Sequence, residues 1–209
     1  MQETSDRPVR TFIAIDIGPE VRRRLADVQA TLQRAAPAAR VRWVPPANIH
    51  LTLAFLGDLF PAMLGPLAAA VGPALSDVQE FESQAERLGF FGPPRSPRVL
   101  WAGLRDDGGR LAAVYAAASS ALRALRIAIE DRPFKPHLTL GRVRGGRGAR
   151  ALVDAVRSRA ALRFGAVRAG SVQIIKSTLR PEGACYTVLE TLPLCASAQT
   201  AGYDKEVSL

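Results

Sequence analysis

Strict alternation marks residues 50–56. His50, Thr52 and Ala54 fall on one side of an extended chain, and Leu51, Leu53 and Phe55 on the other. This predicts a strand with one polar and one apolar face, ended by Gly57-Asp58. Before it, the β-rich run VRTFIAIDI at 9–17, closed by Gly18-Pro19, predicts a first strand. Val21, Leu25, Val28 and Leu32 then recur at helical spacing from Pro19 towards Pro37. A short strand over 40–44 stops at Pro45-Pro46. Downstream, the pattern predicts a helix over 61–75, strands over 81–91 and 98–104, and a helix marked by Leu111, Val114, Ala118, Leu122 and Leu125. A glycine-rich loop at 145–148, a helix over 151–159 and two strands, 167–175 and 184–192, complete the series. Those two strands are expected to pair through a turn at 180–183.

The polar-faced strand occurs twice. His137-Leu138-Thr139-Leu140 repeats His50-Leu51-Thr52-Leu53 after 87 residues, with a glycine following in each case. Repetition with helices between predicts an α+β fold: bilobal, two pseudosymmetric halves, each an antiparallel sheet flanked by helices, with a cleft between them. Residues 1–195 read as one bilobal domain of interleaved lobes, with motif 1 at 50–53 and motif 2 at 137–140. Residues 196–209 read as a disordered tail.

The two motifs hold every histidine in the chain. One imidazole on a strand is ordinarily a structural hydrogen-bonding residue, but two in identical settings suit acid–base chemistry near neutral pH. A neutral imidazole takes a proton from water while a protonated one gives a proton to a leaving alkoxide. Thr52 and Thr139 share the faces of the histidines and can donate to nonbridging phosphate oxygens. Arg142, just beyond the second motif, adds charge where an anionic intermediate develops. Strict alternation sets Phe55 opposite His50, where an aromatic reads as core unless the strand bends. Trp43 and Trp101, on apolar strands, also read as core before ligand contact.

Composition narrows the partners. No apolar run is long enough to span a membrane, and MQETSDRPVR has no signal-like apolar segment, so a cytoplasmic protein is the expectation. Cys185 and Cys195 read as reduced and structural, and with so few ligands no metal or other cofactor is expected. The net charge is +9, unevenly spread: between Arg132 and Arg180 twelve Lys or Arg stand against one acid, Asp154. That segment carries +11 and the remainder −2, which suggests a phosphate-bearing partner. Arg144, Arg147 and Arg150, around the glycine loop, are candidates for RNA-backbone contact.

Four stretches resemble one family: Arg10 to Ile15 (RTFIAI), Trp43 to Gly57 (WVPPANIHLTLAFLG), Pro97 to Gly103 (PRVLWAG) and Arg132 to Arg142 (RPFKPHLTLGR). In order and spacing, over roughly residues 9–195, they are similar to the two-histidine phosphoesterases, and within them to the RNA 2',3'-cyclic phosphodiesterases once called 2'-5' RNA ligases. The resemblance implies a cleft that opens a 2',3'-cyclic phosphate to a 2'-phosphomonoester without metal. By the same resemblance His50 is the proton donor to O3', His137 the proton acceptor from water, and Thr52 and Thr139 bind phosphate. It also sets Phe55 and Arg142 near base and phosphate. Lys176 and Ser177, leaving a strand, are further candidates for RNA contact. The expected partners are RNA ends or nucleotides bearing 2',3'-cyclic phosphate, with no membrane and a monomer as the default. Two other readings remain open: ATP-independent 2'-5' ligation as the reverse reaction, and a nucleotide- or RNA-binding module without catalysis.

Overall fold

The computed structural model describes residues 7–181 and 183–196. Its elements, in chain order, are β1 (Val9–Ile15), α1 (Gly18–Ala35), β2 (Val41–Trp43), β3 (Leu51–Leu59), α2 (Leu64–Leu75), β4 (Phe81–Phe91), β5 (Val99–Arg105), α3 (Arg110–Ala124), β6 (His137–Val143), α4 (Ala149–Arg157), β7 (Arg163–Ala169), β8 (Ser171–Arg180) and β9 (Gly183–Pro193). The segment from residue 197 on, where the sequence predicts a tail, lies outside the described residues.

The strands form a single antiparallel sheet in the order β7-β4-β5-β6-β3-β1-β8-β9, with β2 pairing alongside β6. The order is symmetric about the β6–β3 boundary. One half is β6-β5-β4-β7, and the other is β3-β1-β8-β9. Helices α1 and α4 pack on the first half, against β7 and β4; α2 and α3 pack together on the second, against β9 and β3. The two expected sheets are thus joined into one curled half-barrel, and the chain crosses repeatedly between its halves.

Apolar alternation decides which face takes the helices. Ile13, Ile15, Leu51, Leu138, Val172 and Ile174 meet Leu25, Leu32, Leu67, Val71, Val114, Leu122 and Leu152 in the main core. Burying a side chain of this size contributes roughly 1.5–3 kcal/mol. The opposite face carries a second, smaller apolar cluster of Phe12, Ala14 and Ile175, with Tyr186 packed on it.

Two boundaries differ from the sequence pattern. The run 167–175 is not one strand: β7 ends at Ala169 and β8 begins at Ser171, parted by Gly170. β7 pairs with β4 in one half, whereas β8 pairs with β1 and β9 in the other. A continuous apolar run does not reveal that its two ends serve different sheet partners. The motif strands also continue past Gly57 and Gly141, because each glycine falls in a ladder position instead of a turn.

Candidate active site

A single register pair fixes the centre. Leu51 of β3 lies opposite Leu138 of β6 in antiparallel sense. One step either way, His50 falls beside Thr139 and Thr52 beside His137. The leucines enter the main core, so both histidines and both threonines take the other face. In a regular antiparallel pair, residues so placed on the diagonal stand roughly 7–8 Å apart. The structure therefore brings His50, Thr52, His137 and Thr139 together as neighbours in one sheet.

Both motifs carry the same irregularity. Ala14 pairs with Thr52 and Ile13 with Ala54, leaving Leu53 as an extra residue; Trp101 pairs with Thr139 and Leu100 with Gly141, leaving Leu140 extra. A bulge advances the alternation by one residue. The fifth residue after each histidine therefore turns onto the histidine face: Phe55 pairs with Phe12, and Arg142 with Val99. Phe55 is 47% exposed and its ring lies 6.0 Å from that of Phe12, so it is not the core aromatic that strict alternation predicts.

The same backbone contact orients each imidazole. Nδ1 of His50 donates to the Asn48 carbonyl at 2.8 Å, and Nδ1 of His137 to the Lys135 carbonyl at 2.7 Å. A carbonyl only accepts, so Nδ1 holds the hydrogen in both rings and Nε2 is left for chemistry. Their surroundings differ. His50 stacks on Phe12 with centroids 4.7 Å apart and meets the edge of Tyr186 at 5.4 Å. Burial holds its pKa down at about 4, against the raising effect of the Asn48 carbonyl; the more distant charges of Arg22 and Asp16 oppose each other. His137 has one aromatic neighbour, Phe91, edge-on at 5.0 Å.

Ser177 pairs with Tyr186 and shares its face, so it belongs to the surface around His50. Lys176 is not brought there. It pairs with Thr11 and Thr187 and alternates onto the face of Val172 and Ile174. Trp43 packs against the main core, but Trp101 does not. It lies beside Thr139 over Gly89, where a Cβ would come within 2.2 Å of the indole Cζ2. Cys185 and Cys195 are free thiols, and both are exposed.

Several neighbours of the site went unread in the sequence. Gln29, 4% exposed in α1, sends Nε2 to the carbonyls of Val44 and Leu140, at 2.8 Å each. Leu140 is the bulged residue of the second motif, and Val44 leads into the loop before His50. Asn48 donates its side-chain amide to Ala184 O at 2.6 Å, tying that loop to the start of β9. Tyr186 is half-buried; desolvation raises its phenol pKa, opposed by the charges of Arg10, Arg142 and Arg42. Alternation alone does mark Phe12 as facing away from Ile13 and Ile15. No local pattern marks Gln29 or Tyr186, whose partners lie in distant segments.

Among the described residues no three His, Cys, Asp or Glu side chains gather as metal ligands would, and no helix is long and apolar enough to cross a membrane. Comparison with known proteins follows both motifs. The model of the LigT-like phosphoesterase family matches residues 15–101 and 104–186. The chain is 31% identical over 189 residues to the RNA 2',3'-cyclic phosphodiesterase of Methanothermobacter thermautotrophicus, covering 89% of this chain and 99% of that protein. It is 32% identical to the protein of the same name from Archaeoglobus fulgidus, covering 85% and 96%. A crystal structure of a Thermus thermophilus protein superposes with a TM-score of 0.68 at 30% identity, covering 90% of this chain and 99% of that one. Escherichia coli LigT complexed with 3'-AMP gives 0.69 at 25% identity, covering 90% and 98%. Because the family match contains both His-Leu-Thr-Leu strands and nearly all the elements that hold them side by side, this protein is a member of the LigT-like phosphoesterase family.

Proposed function

We propose that the protein hydrolyses RNA 2',3'-cyclic phosphate ends to 2'-phosphomonoesters, using its two imidazoles and no metal ion. The observation that supports this reading is the Leu51–Leu138 register, which puts both histidines and both threonines on one face of neighbouring strands, with Nε2 of each imidazole free of the backbone contact made by Nδ1. The names of the archaeal relatives supply the substrate class.

In this reading, phosphorus sits between the imidazoles. Water attacks it opposite O3' and gives its proton to Nε2 of His137. The P–O3' bond breaks as Nε2 of His50 delivers a proton to O3', leaving the phosphate on O2'. Thr52 and Thr139 donate to the nonbridging oxygens as their charge grows, and Arg142 adds a fixed positive charge at the rim. Before substrate arrives His50 is neutral, since burial keeps its pKa near 4. The arriving phosphate anion favours the imidazolium, so the substrate itself arms the acid. Phe55, exposed on the same face, offers a ring for the terminal base.

An oligonucleotide ending in a 2',3'-cyclic phosphate, incubated with EDTA, is expected to yield a 2'-phosphate end. A 3'-phosphate product, or activity only with added divalent metal, overturns the proposal. His50→Ala and His137→Ala are each expected to lower kcat by more than about a hundredfold with the circular dichroism spectrum unchanged. Retained turnover in either removes that histidine from the mechanism.

A further inference from the structure

Arg42 of β2 lies directly opposite Arg142 of β6. The ladder continues outward: Val41 pairs with Val143, and the amide of Arg144 donates to the Arg40 carbonyl at 2.7 Å, setting Arg40 beside Arg144. Val41, Trp43 and Val143 pack against the main core, so alternation turns all four arginines to the other face, where each is exposed.

Like charges directly opposite across a strand pair are destabilising. Here two such pairs stand in succession, about 6.8 Å apart along the strands. Some arginines elsewhere have acid partners, among them Arg22 with Asp16, Arg24 with Glu20, Arg105 with Asp107 and Arg168 with Glu80. Among the described residues no ion pair joins Arg40, Arg42, Arg142 or Arg144 to a carboxylate. Uncompensated repulsion, repeated at the spacing of a chain of anions, is the mark of a surface completed by a polyanion. Its position gives it direction. Arg142 is on the histidine face five residues after His137, and the ladder runs from there away from the histidines towards the end of β6.

We propose that these four arginines form the track for the RNA strand leading to the cyclic end. The substrate class of the site is then the terminus of a polynucleotide, in preference to a cyclic mononucleotide. Arg142 reaches the reacting phosphate, Arg42 opposite it touches the nearest phosphate along the strand, and Arg40 with Arg144 takes the one after that. The chemistry at the histidines is that given under Proposed function, on which this inference rests. Tyr186, half-buried and edge-on to His50 at 5.4 Å, feels the charges of Arg10, Arg142 and Arg42.

The test compares 2',3'-cyclic AMP with a tetranucleotide ending in the same cyclic adenosine, in wild type and in the Arg40→Gln/Arg42→Gln double variant. The ratio of kcat/KM, tetranucleotide over mononucleotide, is expected to exceed one in wild type and to fall by about tenfold in the variant. The salt dependence for the tetranucleotide is expected to flatten by about one in log–log slope. An unchanged ratio and slope overturn the track. A melting temperature at or above wild type is expected, since like charges are removed; Arg144→Gln alone gives the same directions if the double variant misfolds. Fluorescence anisotropy with a labelled tetranucleotide ending in 2'-phosphate separates the two proposals. If wild type cleaves no cyclic phosphate yet the variant loses salt-sensitive binding, the hydrolytic reading fails and the track stands. If cleavage proceeds and binding is equal in both proteins, the track fails alone.

Discussion

Phe12 stacks on His50, with ring centroids 4.7 Å apart and planes inclined by 23°. The phenyl face removes water from one side of the imidazole, and Tyr186 closes on it from another. This apolar enclosure is why the ring resists protonation. Phe12→Leu opens the enclosure, and the His50 pKa is expected to rise from about 4 towards the ordinary 6.5. Imidazole C2–H resonances report it directly, since the chain has only two histidines, and His137→Asn assigns them. A wild-type His50 that titrates at 6.5, or a variant that leaves it unmoved, contradicts the enclosure.

The same group ties stability to pH. Between about pH 6.5 and 4 the unfolded chain binds a proton at His50 that the folded chain refuses. Its contribution is therefore fully present above 6.5 and lost as pH falls towards 4. The loss amounts to roughly 2–3 kcal/mol. Urea unfolding at pH 7.5 and 4.5 measures it against His50→Asn, which is expected to show that much less acid destabilisation than wild type. Equal acid sensitivity in the two proteins refutes the linkage.

Gln29 holds the bulge of the second motif from inside the core. Gln29→Leu keeps the volume but strips the Val44 carbonyl of the amide that reaches it, at a cost of about 1–3 kcal/mol. With the Leu140 bulge loosened, Thr139 and Arg142 lose their aim, and kcat is expected to fall roughly ten- to a hundredfold. KM for the tetranucleotide should change less. A variant that is less stable but fully active shows that Gln29 serves only the fold.

Gly89 admits the Trp101 indole, because any side chain there would meet Cζ2 at 2.2 Å and Cη2 at 2.4 Å. The indole pairs with Thr139 across the strands and leans on Phe91, which in turn meets His137. Gly89→Ala is expected to destabilise by about 1–3 kcal/mol through overpacking and to lower kcat by displacing that wall. Adding Trp101→Phe is expected to recover part of the stability in thermal melts. Normal activity in Gly89→Ala means that the wall does not orient His137.

The repeated His-Leu-Thr-Leu, its alternation and the helices between the copies are sufficient for the polar face, the antiparallel sheet with its helices and the four candidate residues on that face. Each depends on neighbours along the chain, and the pleat of a strand makes that information local. Phe55 shows where local reading stops. The bulge that turns it onto the histidine face arises from pairing with β1, and β6 repeats it against β5. Lys176 and Ser177 are adjacent in the chain, so the pleat sends one to each face, and only the pairing of β8 with β1 and β9 decides that Ser177 takes the face of His50.

Composition and spacing along the chain identify the chemically equipped residues: two imidazoles, two hydroxyls and an excess of arginine around the second motif. Which of them meet depends on how the strands pack together. The Leu51–Leu138 pair, the Gln29 amide on Leu140, the Phe12 ring on His50 and the Arg42–Arg142 ladder each join segments far apart in sequence. Such contacts follow from strand order and register, which are settled by packing the whole apolar face at once and leave no mark in any short stretch of chain.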